Sequence, residues 1–183
     1  MKVYLSKDCL DKLSKMFPWI FPLQQKQAAD PSKPAVKRFV SQLEVNVFQP
    51  FVPMHVEGLV VIPLPVMHGE DLVSFGFAFR CGDTNVVYLS DISRILPETL
   101  DYMQKKLPAT DFLVLDALHP DRKTPVHYNL QESIELVDRI NPKQTLLVGM
   151  NCDSFLAHDE MNEQLRRLNG NIQLAYDGQS IDC

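Results

Sequence analysis

Glycine is scarce in this sequence, 7 residues against 13 prolines in 183, which argues for many punctuated loops and against long uninterrupted helices. Cysteine is sparse as well. Cys9, Cys81, Cys152 and Cys183 are widely scattered and form no C-x-x-C pair, so no disulfide framework is expected and a reducing, cytoplasmic setting fits best. No apolar run approaches the roughly 20 residues of a membrane-spanning helix. The opening Met1-Lys2-Val3-Tyr4-Leu5-Ser6-Lys7-Asp8-Cys9 is too polar for a signal peptide. Basic residues are outnumbered, 18 Lys and Arg against 23 Asp and Glu for a net charge of -5, which removes the electrostatic reason to expect nucleic acid or an anionic membrane as a partner. The sequence also lacks H-x-H-x-D-H, H-E-x-x-H, P-loop, G-x-G-x-x-G and G-x-S-x-G motifs, so no short signature names its chemistry. What is present is ordinary: 45% hydrophobic and 22% charged residues, enough to close a core in one domain over residues 1–183.

Along the chain, Lys2 to Leu5 reads as a short strand. Lys7 to Met16 reads as a helix N-capped by Ser6, with Leu10, Leu13 and Met16 on one stripe. Phe17-Pro18-Trp19-Ile20-Phe21-Pro22 follows as a loop plugged into the core or, alternatively, a partner surface, and Gln24 to Lys37 as an exposed polar loop. Strands are predicted over Phe39 to Phe48, Phe51 to Val56 and Leu59 to Val66, the last two joined by Glu57-Gly58. Leu72 to Arg80 and Asn85 to Leu89 form a hairpin through Cys81-Gly82-Asp83-Thr84. The last third changes rhythm. Helices over Pro97 to Leu107, from an Asn129 cap through Ile140, and over Ala157 to Leu168 alternate with buried strands at Asp111 to Leu115 and Thr145 to Val148. Small strands at Ile172 to Ala175 and Gln179 to Ile181 finish the chain around Asp177-Gly178. The class is α/β.

Several buried strands stop at groups that can do chemistry. Val86-Val87-Tyr88-Leu89 ends at Ser90-Asp91, the strand through Leu115 ends at Asp116, and the strand through Val148 runs into Gly149-Met150-Asn151-Cys152. The Leu59 to Val66 strand runs into Met67-His68. Imidazole, carboxylate and thiolate at neighbouring strand ends are what a zinc-type site requires. Asp116 and His127 form a second pair, a carboxylate able to orient an imidazole as a general acid or base. Each has a plain alternative: Asp91 and Asp116 as turn caps, His68 and His127 as loop histidines, Cys152 as a small buried hydrophobe.

Taken in order, Pro65-Val66-Met67-His68, Ser74-Phe75-Gly76-Phe77, Tyr88-Leu89-Ser90-Asp91, Leu113-Val114-Leu115-Asp116-Ala117-Leu118-His119-Pro120, His127-Tyr128-Asn129-Leu130 and Tyr176-Asp177-Gly178 resemble the C-terminal half of the metallo-β-lactamase superfamily. The branch they most resemble is the cyclic-phosphodiesterase group related to the carbon–phosphorus-lyase accessory enzyme, near the ribonuclease Z proteins. The resemblance implies an αββα sandwich with a two-metal site at the strand ends. It implies His68 as a ligand of one metal, Asp91 as the carboxylate bridging both, and Asp116 with His127 as the pair handling protons at the leaving group. Where the family has a further metal-binding histidine, Cys152 is the matching residue here. Zinc or manganese is the implied cofactor and a small phosphodiester the implied substrate.

The family's H-x-H-x-D-H loop lies upstream of the segment that this chain resembles, so the expectation is a sandwich lacking its N-terminal half. At most three protein groups then remain for two metals, which predicts a hydrolase impaired on its own. The alternative expectation is a non-catalytic module that uses the uncovered sheet for self-association or a protein partner.

Overall fold

The computed structural model describes residues 1–21 and 43–181. The polar loop expected over Gln24 to Lys37 and the start of the strand expected from Phe39 lie outside the described residues. The chain divides into two units, Met1–Gln49 and Pro50–Cys183.

In the first unit, β1 (Lys2–Ser6) pairs in parallel with β2 (Glu44–Phe48), Lys2 opposite Glu44 and Ser6 opposite Phe48. Helix α1 (Lys7–Met16) starts directly from β1, because the Ser6 hydroxyl accepts the Cys9 N–H at 3.2 Å and caps it as predicted. Its stripe is shorter than expected: Met16 is exposed, and Ser14 is the buried residue of the helix. Phe17 and Trp19 are not plugged into a core. They are 37% and 52% exposed and pack edge to face on each other, 5.9 Å between ring centres.

The second unit is built on one mixed sheet. Its strands are β3 (Met54–Val56), β4 (Leu59–Met67), β5 (Val73–Cys81), β6 (Thr84–Leu89), β7 (Arg94–Ile95), β8 (Phe112–Asp116), β9 (Gln144–Val148) and β10 (Ile172–Leu174). The order is β10-β9-β8-β6-β5-β4-β3, with the two-residue β7 also pairing β4. The two rhythms of the sequence are the two halves of this sheet. From β3 to β6 neighbours are antiparallel and joined by tight turns, whereas β6, β8, β9 and β10 are parallel and need crossovers. Glu57 and Gly58 both take positive φ, 46° and 91°, the backbone a two-residue hairpin needs. The β5–β6 turn is shorter than expected, since Cys81 pairs Thr84 and only Gly82-Asp83 remain between them. The expected strand from Phe51 begins only at Met54, because Phe51 itself is left-handed (φ 61°), its N–H bonded to the Pro63 carbonyl and its ring 4.8 Å from that of Tyr102.

One face of the sheet carries the core. Register aligns Leu64 with Gly76, and Leu89, Leu115, Leu147 and Leu174 with one another, as a row of buried apolar side chains. Leu100 and Met103 of α2 (Pro97–Lys105), Leu130, Leu136 and Val137 of α3 (Leu130–Ile140) and Met161 and Leu165 of α4 (His158–Leu168) join the same cluster. Burying each such side chain contributes about 1.5–3 kcal/mol. Two polar residues are anchors here: Thr99 donates to the Pro65 carbonyl at 2.6 Å, tying α2 to β4, and Ser133 donates to the Asp116 carbonyl at 2.6 Å, tying α3 to β8. The buried side of α3 is therefore Leu130, Ser133, Leu136 and Val137, with Ile134 and Ile140 only partly covered. Gln179 to Ile181, expected as a strand, is not one; the chain turns at Asp177-Gly178 with the Gln179 N–H on the Tyr176 carbonyl. Among the described residues no helix is long and apolar enough to cross a membrane.

Candidate metal centre

Strand β4 runs in the same direction as β6, since each is antiparallel to β5, and β8 and β9 run parallel to β6. Their carboxyl ends therefore share one edge of the sheet. His68, Asp91 and Asp116 all reach that edge, as the strand-end reading requires.

The turn after β6 places Asp91. Its φ is 51°, a left-handed conformation that aspartate tolerates better than most residues. Ile92 beside it is fully buried, so the turn sends one side chain into the core and the neighbouring carboxylate to the surface. Ser93 staples this turn to the end of β4: its N–H bonds the Met67 carbonyl at 2.7 Å, and its hydroxyl donates to the same carbonyl at 3.1 Å while accepting the Gly69 N–H at 2.9 Å. The Tyr128 N–H bonds the Ile92 carbonyl at 2.7 Å from the other side. Sequence reasoning passed over Ser93, although a serine two residues beyond a strand-end carboxylate is a recognisable turn signal.

His127 is held at both levels. The Thr124 hydroxyl accepts its N–H at 3.0 Å and donates to its carbonyl at 2.9 Å, and its ring Nδ1 donates to Asp116 Oδ2 at 2.6 Å. The expected Asp116–His127 pair is thus in contact. Asp116 is 2% exposed. Burial pushes its carboxyl above the ordinary value of 3.8, and the His127 hydrogen bond opposes that rise. His68 Nδ1 lies 2.8 Å from the Val126 carbonyl. A carbonyl only accepts, so this nitrogen carries the proton and Nε2 keeps its lone pair.

These constraints bring His68, Asp91 and His127 together. One ligand atom from each lies within 4.8 Å of the others, and the two imidazoles stand edge to face at 4.9 Å. Among the described residues this is the one group of three or more His, Cys, Asp and Glu so placed. Cys152 is not a member of it: the residue is exposed, and its thiol lies 3.9 Å from the Met150 carbonyl. The ring of His127, expected only beside Asp116, belongs to both arrangements. Two imidazoles with the other nitrogen engaged, one by a carboxylate and one by a carbonyl, are oriented as zinc-binding histidines are. The donor set of two nitrogens and one carboxylate oxygen suits zinc, and manganese, which prefers oxygen-rich sites, less well.

The whole of this chain superposes on 58% of a diphosphatase from the PhnP family, with a TM-score of 0.73 and 24% identity. It likewise matches Zn(2+)-bound PqqB from Methylobacterium extorquens (TM-score 0.69, 15% identity, 100% of this chain and 65% of that one). The short form of human tRNase Z matches at a TM-score of 0.60 and 14% identity, covering 99% of this chain and 67% of that one. The chain therefore spans about three fifths to two thirds of the length of these structures. No curated protein sequence matches it. The mixed sheet, the likeness in fold and a match of residues 1–150 to the beta-lactamase superfamily domain agree, and the chain belongs to that superfamily.

Proposed function

We propose that this chain holds one divalent cation, zinc in preference to manganese, between His68, Asp91 and His127, and hydrolyses small phosphodiesters there. The carrying observation is the cluster itself: three donors within 4.8 Å of one another, the two imidazoles held by hydrogen bonds to Val126 and Asp116, and Asp91 placed by the left-handed turn whose Ser93 is tied to the end of β4. A divalent cation in such a place supplies Lewis acidity toward a phosphoryl oxygen and a nucleophile at neutral pH. The residues of the chain do the remaining work. Asp116 sets the tautomer and direction of His127, Val126 sets those of His68, and Asp91 supplies the negative charge. The three donors grouped among the described residues suffice for one ion and fall short for the two-ion centre that the family resemblance implies, so low turnover is expected. Cys152 has no part in this reading. A cytoplasmic setting accords with the free thiols of Cys9, Cys81 and Cys152.

Metal analysis of the purified protein, with turnover of bis(4-nitrophenyl) phosphate, tests the proposal. The expected result is one equivalent of zinc, lost in His68→Ala and Asp91→Ala and retained in Cys152→Ser. A protein that takes up no zinc and gives no turnover removes the enzyme reading. If His127→Gln keeps the ion and loses turnover, His127 handles protons instead of holding metal.

A second reading is favoured by one observation. Leu59, Val73 and Tyr88 share the face of the sheet opposite the helices, and all three are exposed. An interaction module would use that face for self-association or a protein partner. A strictly monomeric protein by light scattering counts against it.

A further inference from the structure

Asp116 is almost fully buried, yet the residue lying over its second oxygen is an exposed glycine. The β8–β9 register puts Asp116 opposite Val148, so the chain leaving β9 crosses the carboxylate at once. A Cβ built on Gly149 would stand 2.6 Å from Asp116 Oδ1 and 3.8 Å from its Cγ. No real side chain tolerates that approach, and the other oxygen cannot retreat, because it is engaged with His127 Nδ1 at 2.6 Å. Gly149 also takes φ 76°, a second demand for glycine that acts through the backbone alone. The loop it begins is pinned on the far side, where the Asn151 N–H bonds the Leu118 carbonyl at 2.9 Å.

We propose that Gly149 is a positioning residue of the metal centre: its missing side chain is the clearance that lets Asp116 sit against His127 and aim the imidazole at His68 and Asp91. The inference rests on the metal-centre reading above, and it adds a residue that contributes no donor atom. It also separates two reasons for glycine that usually coincide. Gly178 has almost the same φ, 75°, with nothing within 4 Å of the built Cβ, so it carries the backbone demand without the contact.

Gly149→Ala and Gly178→Ala, made in the full chain, provide the test. In metal-free protein the Nδ1–H of His127, held by a short bond to a carboxylate, should give a low-field proton resonance. Gly149→Ala should abolish or shift it, and Gly178→Ala should leave it in place. Zinc affinity should fall about 10–100-fold in the first variant and stay unchanged in the second. Truncating the carboxylate supplies a cycle: with Asp116→Ala as background, the stability loss caused by Gly149→Ala should shrink to that of Gly178→Ala. If Gly149→Ala alone does not fold, recovery of folding in the double variant supports the proposal equally. An unshifted resonance in Gly149→Ala, or an equal loss with and without the Asp116 carboxylate, overturns the proposal. A wild-type protein that binds no zinc refutes the metal reading instead, and the resonance and the cycle still decide the role of Gly149.

Discussion

Replacing Asp116 by asparagine keeps its shape and removes its charge, and the structure gives the two consequences opposite signs. The His127 Nδ1–H now donates 2.6 Å to a buried carboxylate. Hydrogen bonds to charged partners contribute about 1.5–3 kcal/mol against about 1 kcal/mol for neutral ones. Partners of a ligating histidine are worth about 10–100-fold in metal affinity, or about 1.4–2.7 kcal/mol. Asp116→Asn should therefore weaken zinc binding by that factor, read by competition against a chromophoric chelator near neutral pH. Folding stability of the metal-free protein should move the other way with pH. Burial raises the carboxyl of Asp116 above 3.8 in the folded state, so the folded protein binds its proton more tightly than the unfolded chain does. Its contribution is fully present below the unfolded value and is lost as pH rises through the folded one. Asparagine has no such loss. Urea unfolding of both proteins at steps from pH 3.5 to 7 should show the stability difference shifting in favour of Asp116→Asn as pH rises. Equal zinc affinities, or a difference constant across that range, would refute the reasoning.

Three further outcomes follow from packing and capping. Gly76→Ala would drive a methyl into Leu89 Cδ2 and to 2.6 Å from the Tyr88 carbonyl, whereas Gly170 has nothing within 4 Å and an ordinary φ; Gly76→Ala should cost about 1–3 kcal/mol and Gly170→Ala should stabilise by about 0.4–1 kcal/mol, both read from urea midpoints. Asn129 caps α3 with its side chain on the Glu132 N–H at 2.9 Å while Glu132 returns to the Asn129 N–H at 3.0 Å; Asn129→Ala should cost about 1 kcal/mol, seen as a lower midpoint with an unchanged denaturant slope.

Much of this fold was legible because local chemistry and tertiary context agree. The Ser6 and Asn129 caps, the Glu57-Gly58 turn and the buried strands ending at Asp91 and Asp116 follow from side chains within a few residues of one another. The Asp116–His127 contact, eleven residues apart, was legible because a strand end and the loop after it are held close. What periodicity missed were polar groups with distant partners. Ser133 looks like a solvent position on α3, and only its bond to the Asp116 carbonyl makes it a core residue. The two-residue β7 exists because β4 offers it a partner, with no pattern of its own. At the candidate site, the match of Cys152 to a ligand position rests on its place after a strand end. The loop after β9 is left-handed at Gly149, and the Cys152 thiol beyond it is exposed and outside the group of His68, Asp91 and His127.

The backbone at Asp91 bears on how such a site can be lost. Position 91 sets two independent requirements, a left-handed φ of 51° and a negative group at the edge of the sheet. Glycine and asparagine satisfy the first, glutamate the second, and aspartate both. A single change to asparagine thus spares the turn, the buried Ile92 and every strand while taking away the charge. Selection for a folded protein is blind to that change, and on the proposed metal reading only selection for the ion opposes it. Drift at one codon can separate a chain that keeps this architecture from one that keeps its chemistry.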